Sequence, residues 1–356
     1  MKKLTLLFSA LLISGNLFSQ TGGNNTYEFL NLPASARIAA LGTNFLAAGD
    51  GDINLAIANP SVIGENINNQ LSLNFVDYFG DVNYGMVAYS KTFKKAGSFA
   101  SSLQFINYGR FLEADETGLT YGNFSGGEYA LNIGWGRKLD KHFLLGANLK
   151  FIYSHLEKFN SFGMAVDVAG SYFHEKSGFM ASVIFKNIGR QLKPYIKGSI
   201  DPLPFEIQIG LSQRFNKLPL RYSIVYNHLE KFDLTYTNPL SSNVDPVSGD
   251  TITRSKFDVF ADKLMRHFVL GLEFYPHKRF YISLGYNYQR RAELRTEFKK
   301  GIVGFSIGCG IHVYKFHISY CWSKYHLAAA PNTFTVTTNI SEWFSKKVTK
   351  PEVNNK

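Results

Sequence analysis

Few residues in this chain are spaced for chemistry, and each candidate has a plainer reading beside it. Gly304-Phe305-Ser306-Ile307-Gly308 fits G-x-S-x-G, the pattern of a serine hydrolase. That chemistry needs a sharp strand-to-helix elbow to lift the hydroxyl out of the sheet. Here the five residues fall inside an alternating run, so an extended strand is expected, and a hydrolase with Ser306 as nucleophile is the least favoured reading. Asp50-Gly51-Asp52-Ile53-Asn54 begins like a calcium loop, which wants Gly sixth and Glu twelfth. Leu55 and Ser61 stand at those positions, so a turn with side-chain-to-backbone hydrogen bonds is expected instead. The nine histidines show no H-E-x-x-H and no paired metal spacing. Arg290-Arg291 with Glu293 and Arg295 reads as a solvated charged rim. Its functional reading is a docking patch for a partner or an acidic glycan. These residues point to a non-enzymatic protein with no cofactor, catalytic or metal site.

The elements that would position such residues are strands. Period-two alternation begins near residue 70 and defines fourteen segments: 70–78, 82–93, 97–109, 126–138, 141–156, 162–174, 177–187, 204–215, 219–232, 264–275, 279–291, 301–311, 314–323 and 332–342. Most have about ten residues or more, the length a tilted strand needs to cross a bilayer, whereas ordinary strands average about 5–6. Even-to-odd connections are short and polar, such as Lys94-Lys95-Ala96 and Pro276-His277-Lys278. Most odd-to-even ones are longer: 110–125, 157–161, 188–203, 233–263, 292–300 and 324–331. Short turns on one side and long loops on the other characterise outer-membrane barrels. The lipid face follows from cost, since a basic residue there at mid-bilayer costs roughly 2–4 kcal/mol. Lys150, Asp167, Lys186, Glu206, Glu273 and Lys315 must then point inward, with rows such as Phe268, Leu270, Leu272 and Phe274 outward. The glycine row 304–308–310 implies a close backbone approach, where something fills the lumen.

Three further regions complete the division of the chain. Lys2 and Lys3, the apolar run Leu4 to Ile13 and Leu17-Phe18-Ser19 before Gln20 make residues 1–19 a signal peptide. Residues 20–69 precede the barrel (70–344) and hold a short helix around Ser35 to Leu41, introduced by Pro33 and closed by Gly42, of a size to plug the lumen. Residues 345–356 read as a periplasmic tail. Composition agrees with a barrel: aromatics are 15% and charged residues 18%, below the roughly 25% of soluble domains. The formal charge of +11, lower by two once Lys2 and Lys3 leave, fits basic rims and acidic lipopolysaccharide, and nucleic acid is not expected for an exported chain. Cys309 and Cys321 fall on opposite sides of the wall and are expected to stay unpaired.

Thr26-Tyr27-Glu28-Phe29-Leu30-Asn31-Leu32-Pro33-Ala34-Ser35-Ala36-Arg37, continuing through Ala39-Ala40-Leu41-Gly42, and then Ala58-Asn59-Pro60-Ser61 resemble the plug region of the FadL-like outer-membrane family, in its type IX secretion branch. Phe260 to Phe268 and Gly285 to Leu294 carry the same likeness, which spans nearly the whole mature chain. One departure is Ser61, where FadL relatives more often carry Ala after Asn-Pro. The resemblance implies an all-β, fourteen-stranded antiparallel transmembrane barrel with a short helical N-terminal plug, and a Bacteroidota-type host. It also implies a place in a surface attachment complex. There the barrel would hold a PorZ-like surface protein beside a PorU-like sortase and a PorV-like shuttle that attach cargo to lipopolysaccharide. Partner contacts are then expected on the outer loops at Tyr236, Asp245, Arg290, Arg291 and Arg295. The alternative is a FadL-like channel for hydrophobic small molecules, although the loops are rich in Ser, Asn, Thr, Asp and Lys and show no evident apolar groove.

Overall fold

A computed structural model describes residues 25–235, 255–294, 301–326 and 330–344. The expected signal peptide and tail lie outside the described residues, as do Tyr236, Asp245 and Arg295. Fourteen antiparallel strands close into a barrel: β1 (Gln70–Asp77), β2 (Asn83–Phe93), β3 (Gly97–Ala114), β4 (Thr120–Lys138), β5 (Phe143–Leu156), β6 (Phe159–His174), β7 (Phe179–Lys193), β8 (Glu206–Arg214), β9 (Leu220–Tyr226), β10 (Phe268–His277), β11 (Phe280–Asn287), β12 (Phe305–Val313), β13 (Phe316–Ser323) and β14 (Asn332–Asn339). Closure comes from β1 on β14, in register from Gln70 opposite Asn339 to Asp77 opposite Asn332. Each strand bonds to its two neighbours, so the sheet leaves no edge to satisfy in lipid.

The pleat sorts the side chains as the alternation requires. On β10, Leu270, Leu272 and Phe274 are exposed on the outside, while Val269 and Glu273 are buried inside. Lys150, Asp167 and Glu206 are likewise buried in the lumen, and Lys186 is half-buried. Lys315 differs slightly: it sits in the β12–β13 turn and borders the lumen from the barrel's end. Cys309 faces outward and Cys321 inward, both as free thiols.

Several boundaries moved for identifiable reasons. β3 and β4 run on as a hairpin past the bulge at Asn107 and Arg110, where a loop over 110–125 was expected; Phe111 and Phe124 stack there at 5.2 Å. Only Glu157 and Lys158 join β5 to β6, with Glu157 in the left-handed region (φ 54°). Helix α3 (Lys256–Met265) takes the first residues of the expected tenth strand. Ser255 caps it, its hydroxyl accepting from the Asp258 amide at 3.1 Å. Helix α4 (Tyr288–Leu294) replaces the end of the eleventh strand, and α5 (Ser341–Phe344) the end of the fourteenth.

The hydrophobic core lies inside the barrel, between plug and wall. Residues 25–69 fill the lumen with helices α1 (Ala36–Ala40) and α2 (Ile53–Ala58) and three short 3₁₀ turns. Phe45, Ile53, Leu55, Ile63 and Ile67 of the plug pack against Met86, Ala88, Ala100 and Met180 of the wall. Glycines on the wall set how closely the plug can approach. A Cβ at Gly308 would lie 2.6 Å from the Ala40 Cβ, and one at Gly271 2.9 Å from Leu41. Gly285 abuts the backbone of Ala40, Leu41 and Gly42. On the opposite side, Gly136 and Gly146 form a second seat against Pro60, Ser61 and Ile63. Within the expected glycine row, only Gly308 meets the plug; Gly310 makes room for the Tyr281 ring, and Gly304 (φ 92°) lies against Arg291 of α4.

Gly146→Val places new atoms on the Pro60 carbonyl and should weaken plug seating by about 1–3 kcal/mol, the usual scale of overpacking. The variant barrel is expected to assemble but to show higher conductance in planar bilayers and faster proteolysis within 25–69. Wild-type values for both would contradict the seat.

Candidate functional site

Two regions could do something specific: the polar lock that holds the plug, and the outer mouth. The lock is built around Arg37 on α1, a helix oriented by the Ala36 amide donating to Thr335 Oγ1 at 2.9 Å. The Arg37 guanidinium donates to both oxygens of Glu273 on β10, at 2.7 and 3.0 Å. It also reaches Asp50 at 2.7 Å and Asp52 at 3.2 Å. Arg221 on β9 bridges the same acids, 2.7 Å from Asp50 and 2.9 Å from Glu273. Tyr275 donates its hydroxyl to Glu273 at 2.8 Å. Two guanidinium groups thus face three carboxylates, and each acid is held by charge-assisted bonds. The Asp50-Gly51-Asp52 turn is therefore committed to arginine. Asp52 additionally caps α2 by accepting from the Asn54 amide at 3.0 Å, the side-chain-to-backbone bond expected of such a turn.

Further polar contacts tie the plug to the rest of the wall. Asn59 donates to the Leu46 carbonyl at 2.7 Å and accepts from the Ser61 amide and hydroxyl. Ser61 in turn lies 2.5 Å from Ser171 on β6, so its hydroxyl has a partner on the wall that an alanine would lack. Lys150 pairs with Asp167 at 2.8 Å and donates to Asn187 at 2.7 Å; Asn187 reaches the plug at Asn31. Between plug and wall there remains a cavity of about 80 Å³, bordered by Ser35, Phe45, Asn132 and Lys186. That is room for a few water molecules at most.

At the outer mouth the structure shows what composition hid. Helix α3 has no buried residue and carries exposed Phe257 and Phe260. Phe260 lies 5.8 Å, ring to ring, from the equally exposed Phe232. Lys263–Asp233 at 2.6 Å and Arg266–Asp262 at 3.0 Å hold the helix, and Tyr288 donates to Asp262 at 2.9 Å. Ile196 and Ile200 project from the β7–β8 connection on the same side. The β3–β4 hairpin adds exposed Leu112, Leu119 and Tyr121, so loops that are polar on average still carry grouped apolar side chains.

The expected arginine rim is corrected here. Arg290 is buried: α4 folds inward, and its guanidinium lies 3.9 Å over the Tyr325 ring and 3.3 Å from Ser306 Oγ. Arg291 is half-buried and donates to the Gly301 and Val303 carbonyls at 3.2 and 3.3 Å. Both arginines brace the mouth from within. Ser306 sits in β12, buried, with no elbow.

No protein-family model and no curated protein sequence matches the chain. Among solved structures it is similar to the Pseudomonas putida toluene transporter TodX, at 10% identity and TM-score 0.47, over 90% of this chain and 98% of that one. A Pseudomonas aeruginosa FadL homologue matches at 11% identity and TM-score 0.46, over 90% and 100%. A TodX monoaromatic hydrocarbon channel mutant matches at 12% and 0.48, over 86% and 97%.

Arg37→Met leaves Asp50 and Glu273 without their main partner, a loss of about 3–5 kcal/mol for a broken buried pair. Hydrogen exchange across 36–58 should accelerate strongly, and unchanged protection would rule out the lock. A pH effect is expected at His228, just beyond β9. Burial lowers its pKa, but the hydrogen bond to Glu230 (2.9 Å) and the nearby Glu206 outweigh this and raise it above its usual value. The contact is thus complete below about pH 6.5 and is lost as pH rises through the folded value. Proteolysis at 227–235 should quicken between pH 6 and 8.5 in the wild type and lose that pH dependence in His228→Asn.

Proposed function

We propose that this protein is a non-enzymatic outer-membrane barrel that acts through its outward face, with the filled lumen as a rigid support. One observation carries the reading. Helix α3 presents exposed Phe257 and Phe260 at the outer mouth, above a lumen occupied by residues 25–69, with about 80 Å³ left around Ser35 and Phe45 and a larger cavity confined to the inner mouth. Exposed apolar residues grouped on one element mark a binding surface. The outward-facing apolar band and inward charges support a bilayer setting, and bacterial barrels of this kind belong to outer membranes.

Two finer readings share this surface. In the first, the barrel is a PorQ-like anchor of a type IX secretion attachment complex, holding a PorZ-like protein beside a PorU-like sortase and a PorV-like shuttle. Its support is the resemblance of the plug and later segments, together with a filled lumen suited to scaffolding. In the second, the protein is a FadL-like channel for hydrophobic small molecules. A toluene transporter and a monoaromatic hydrocarbon channel are among the solved structures similar to this chain, and the exposed apolar side chains outside fit the capture of such solutes. A channel further requires the plug to move, because the wall pairs continuously among the described residues.

Phe257→Ser/Phe260→Ser tests the surface. Cross-linking and pull-down from intact outer membranes, run beside uptake of radiolabelled toluene by proteoliposomes, separates the readings. An anchor loses its surface partner in the variant and shows no protein-dependent uptake in either form. A channel takes up toluene when wild type and at least several-fold more slowly when substituted. If the variant matches wild type in both assays, the outward face is not the working surface.

A further inference from the structure

The inner mouth, at the end with the short turns, opens into a cavity of about 840 Å³. Arg214, Lys217, Lys278, Arg279 and Lys315 border it, drawn from the β8–β9, β10–β11 and β12–β13 turns and the strand ends beside them. None of the five forms a salt bridge with a described acid. Two are instead held over rings: Arg214 lies 4.6 Å from the Tyr275 centroid and Lys315 4.7 Å from that of Trp343. Of the bordering acids, Asp50 and Asp52 are engaged by Arg37, and Glu342 is the third. The sequence after Phe344 is itself basic on balance, with Lys346, Lys347, Lys350 and Lys356 against Glu352. A concave mouth in which cations outnumber acids concentrates a positive field and attracts the opposite sign.

We propose that this inner mouth is a receptor site for an acidic peptide segment of a periplasmic protein. The position favours peptide over lipid. Arg37, Tyr281 and His317 also border the cavity, so it reaches into the lumen, whereas a phospholipid anchored by its chains outside the wall presents its head group only to the rim. The aromatic lining (Phe215, Tyr275, Phe280 and Tyr281) offers ring faces beside the cations, which suits a peptide carrying both carboxylates and side-chain surface. The site is separate from the outer face and does not depend on which outward reading holds.

The test uses the full-length protein in detergent and a short fluorescein-labelled peptide alternating aspartate with glycine, read by anisotropy. Saturable binding is expected, weakening steeply with salt, and absent with a glycine–serine peptide of equal length. Lys217→Glu/Lys278→Glu/Arg279→Glu should reduce affinity about tenfold or more, because like charges then meet. Phe257→Ser/Phe260→Ser should leave it unchanged. Heat-modifiable migration on gels checks assembly, and Lys278→Gln/Arg279→Gln, expected to weaken binding less, stands in if the triple variant fails to assemble. No peptide binding, or full affinity in the charge variants, overturns the proposal. It is also overturned if phosphatidylglycerol vesicles or inorganic phosphate bind with this charge dependence while the peptide does not.

Discussion

A charge cannot rest cheaply on the lipid side of a membrane wall, and this structure is organised around that constraint. Across the wall the strands turn residues such as Lys150, Asp167, Glu206, Glu273, Asn132 and Ser212 inward, which removes them from the bilayer but buries them in the lumen. Polar groups there still need partners, or each costs free energy comparable to a lost hydrogen bond. The plug supplies many of them. Arg37 answers Glu273, Asn54 accepts from Ser72 and Asn74, and Ser61 meets Ser171. The plug also brings its own apolar side chains, so one segment neutralises the wall's polarity and completes the core.

Close approach makes this possible. Seats at Gly285, Gly136 and Gly146 let plug backbone lie against the strand, and Gly271 and Gly308 admit the side chains of Leu41 and Ala40. Small residues on a wall that surrounds a filled lumen do what they do between packed membrane helices: they admit a partner. The plug is therefore held by shape on two sides and by charge at one end, and loosening any one of these leaves the others to resist.

The barrel was legible in the sequence because a two-residue period and alternating loop lengths are local signals. Strand number, the inward set from Lys150 to Glu273 and the opposite placement of Cys309 and Cys321 all followed from counting along one strand at a time. What was missed depends on position in space. Helix α3 sits in a loop whose composition looked polar, although Ser255 followed by Asp258 was a readable cap. Arg290 was read as rim because its burial requires α4 to fold over Tyr325, a contact between distant parts of the chain. Arg37 was noticed as part of a family-like stretch, but its partner Glu273, and the Arg221 that shares that acid, lie on strands far along the sequence. Tyr236, Asp245 and Arg295 lie outside the described residues.

The seat of α1 has a consequence for the order of events in assembly. This helix, from the first described part of the chain, rests on β11, β12, β13 and β14, and its Ala36 amide bonds to Thr335. Its resting place thus exists only after the final strands have joined. Until then the inward faces of the early strands lack their filling, and loop-closure entropy opposes any early union of such distant segments. Seating of the plug is a late event that registers whether the ring is complete. A chain stalled before β14 would have its first segment in hand and nowhere to put it.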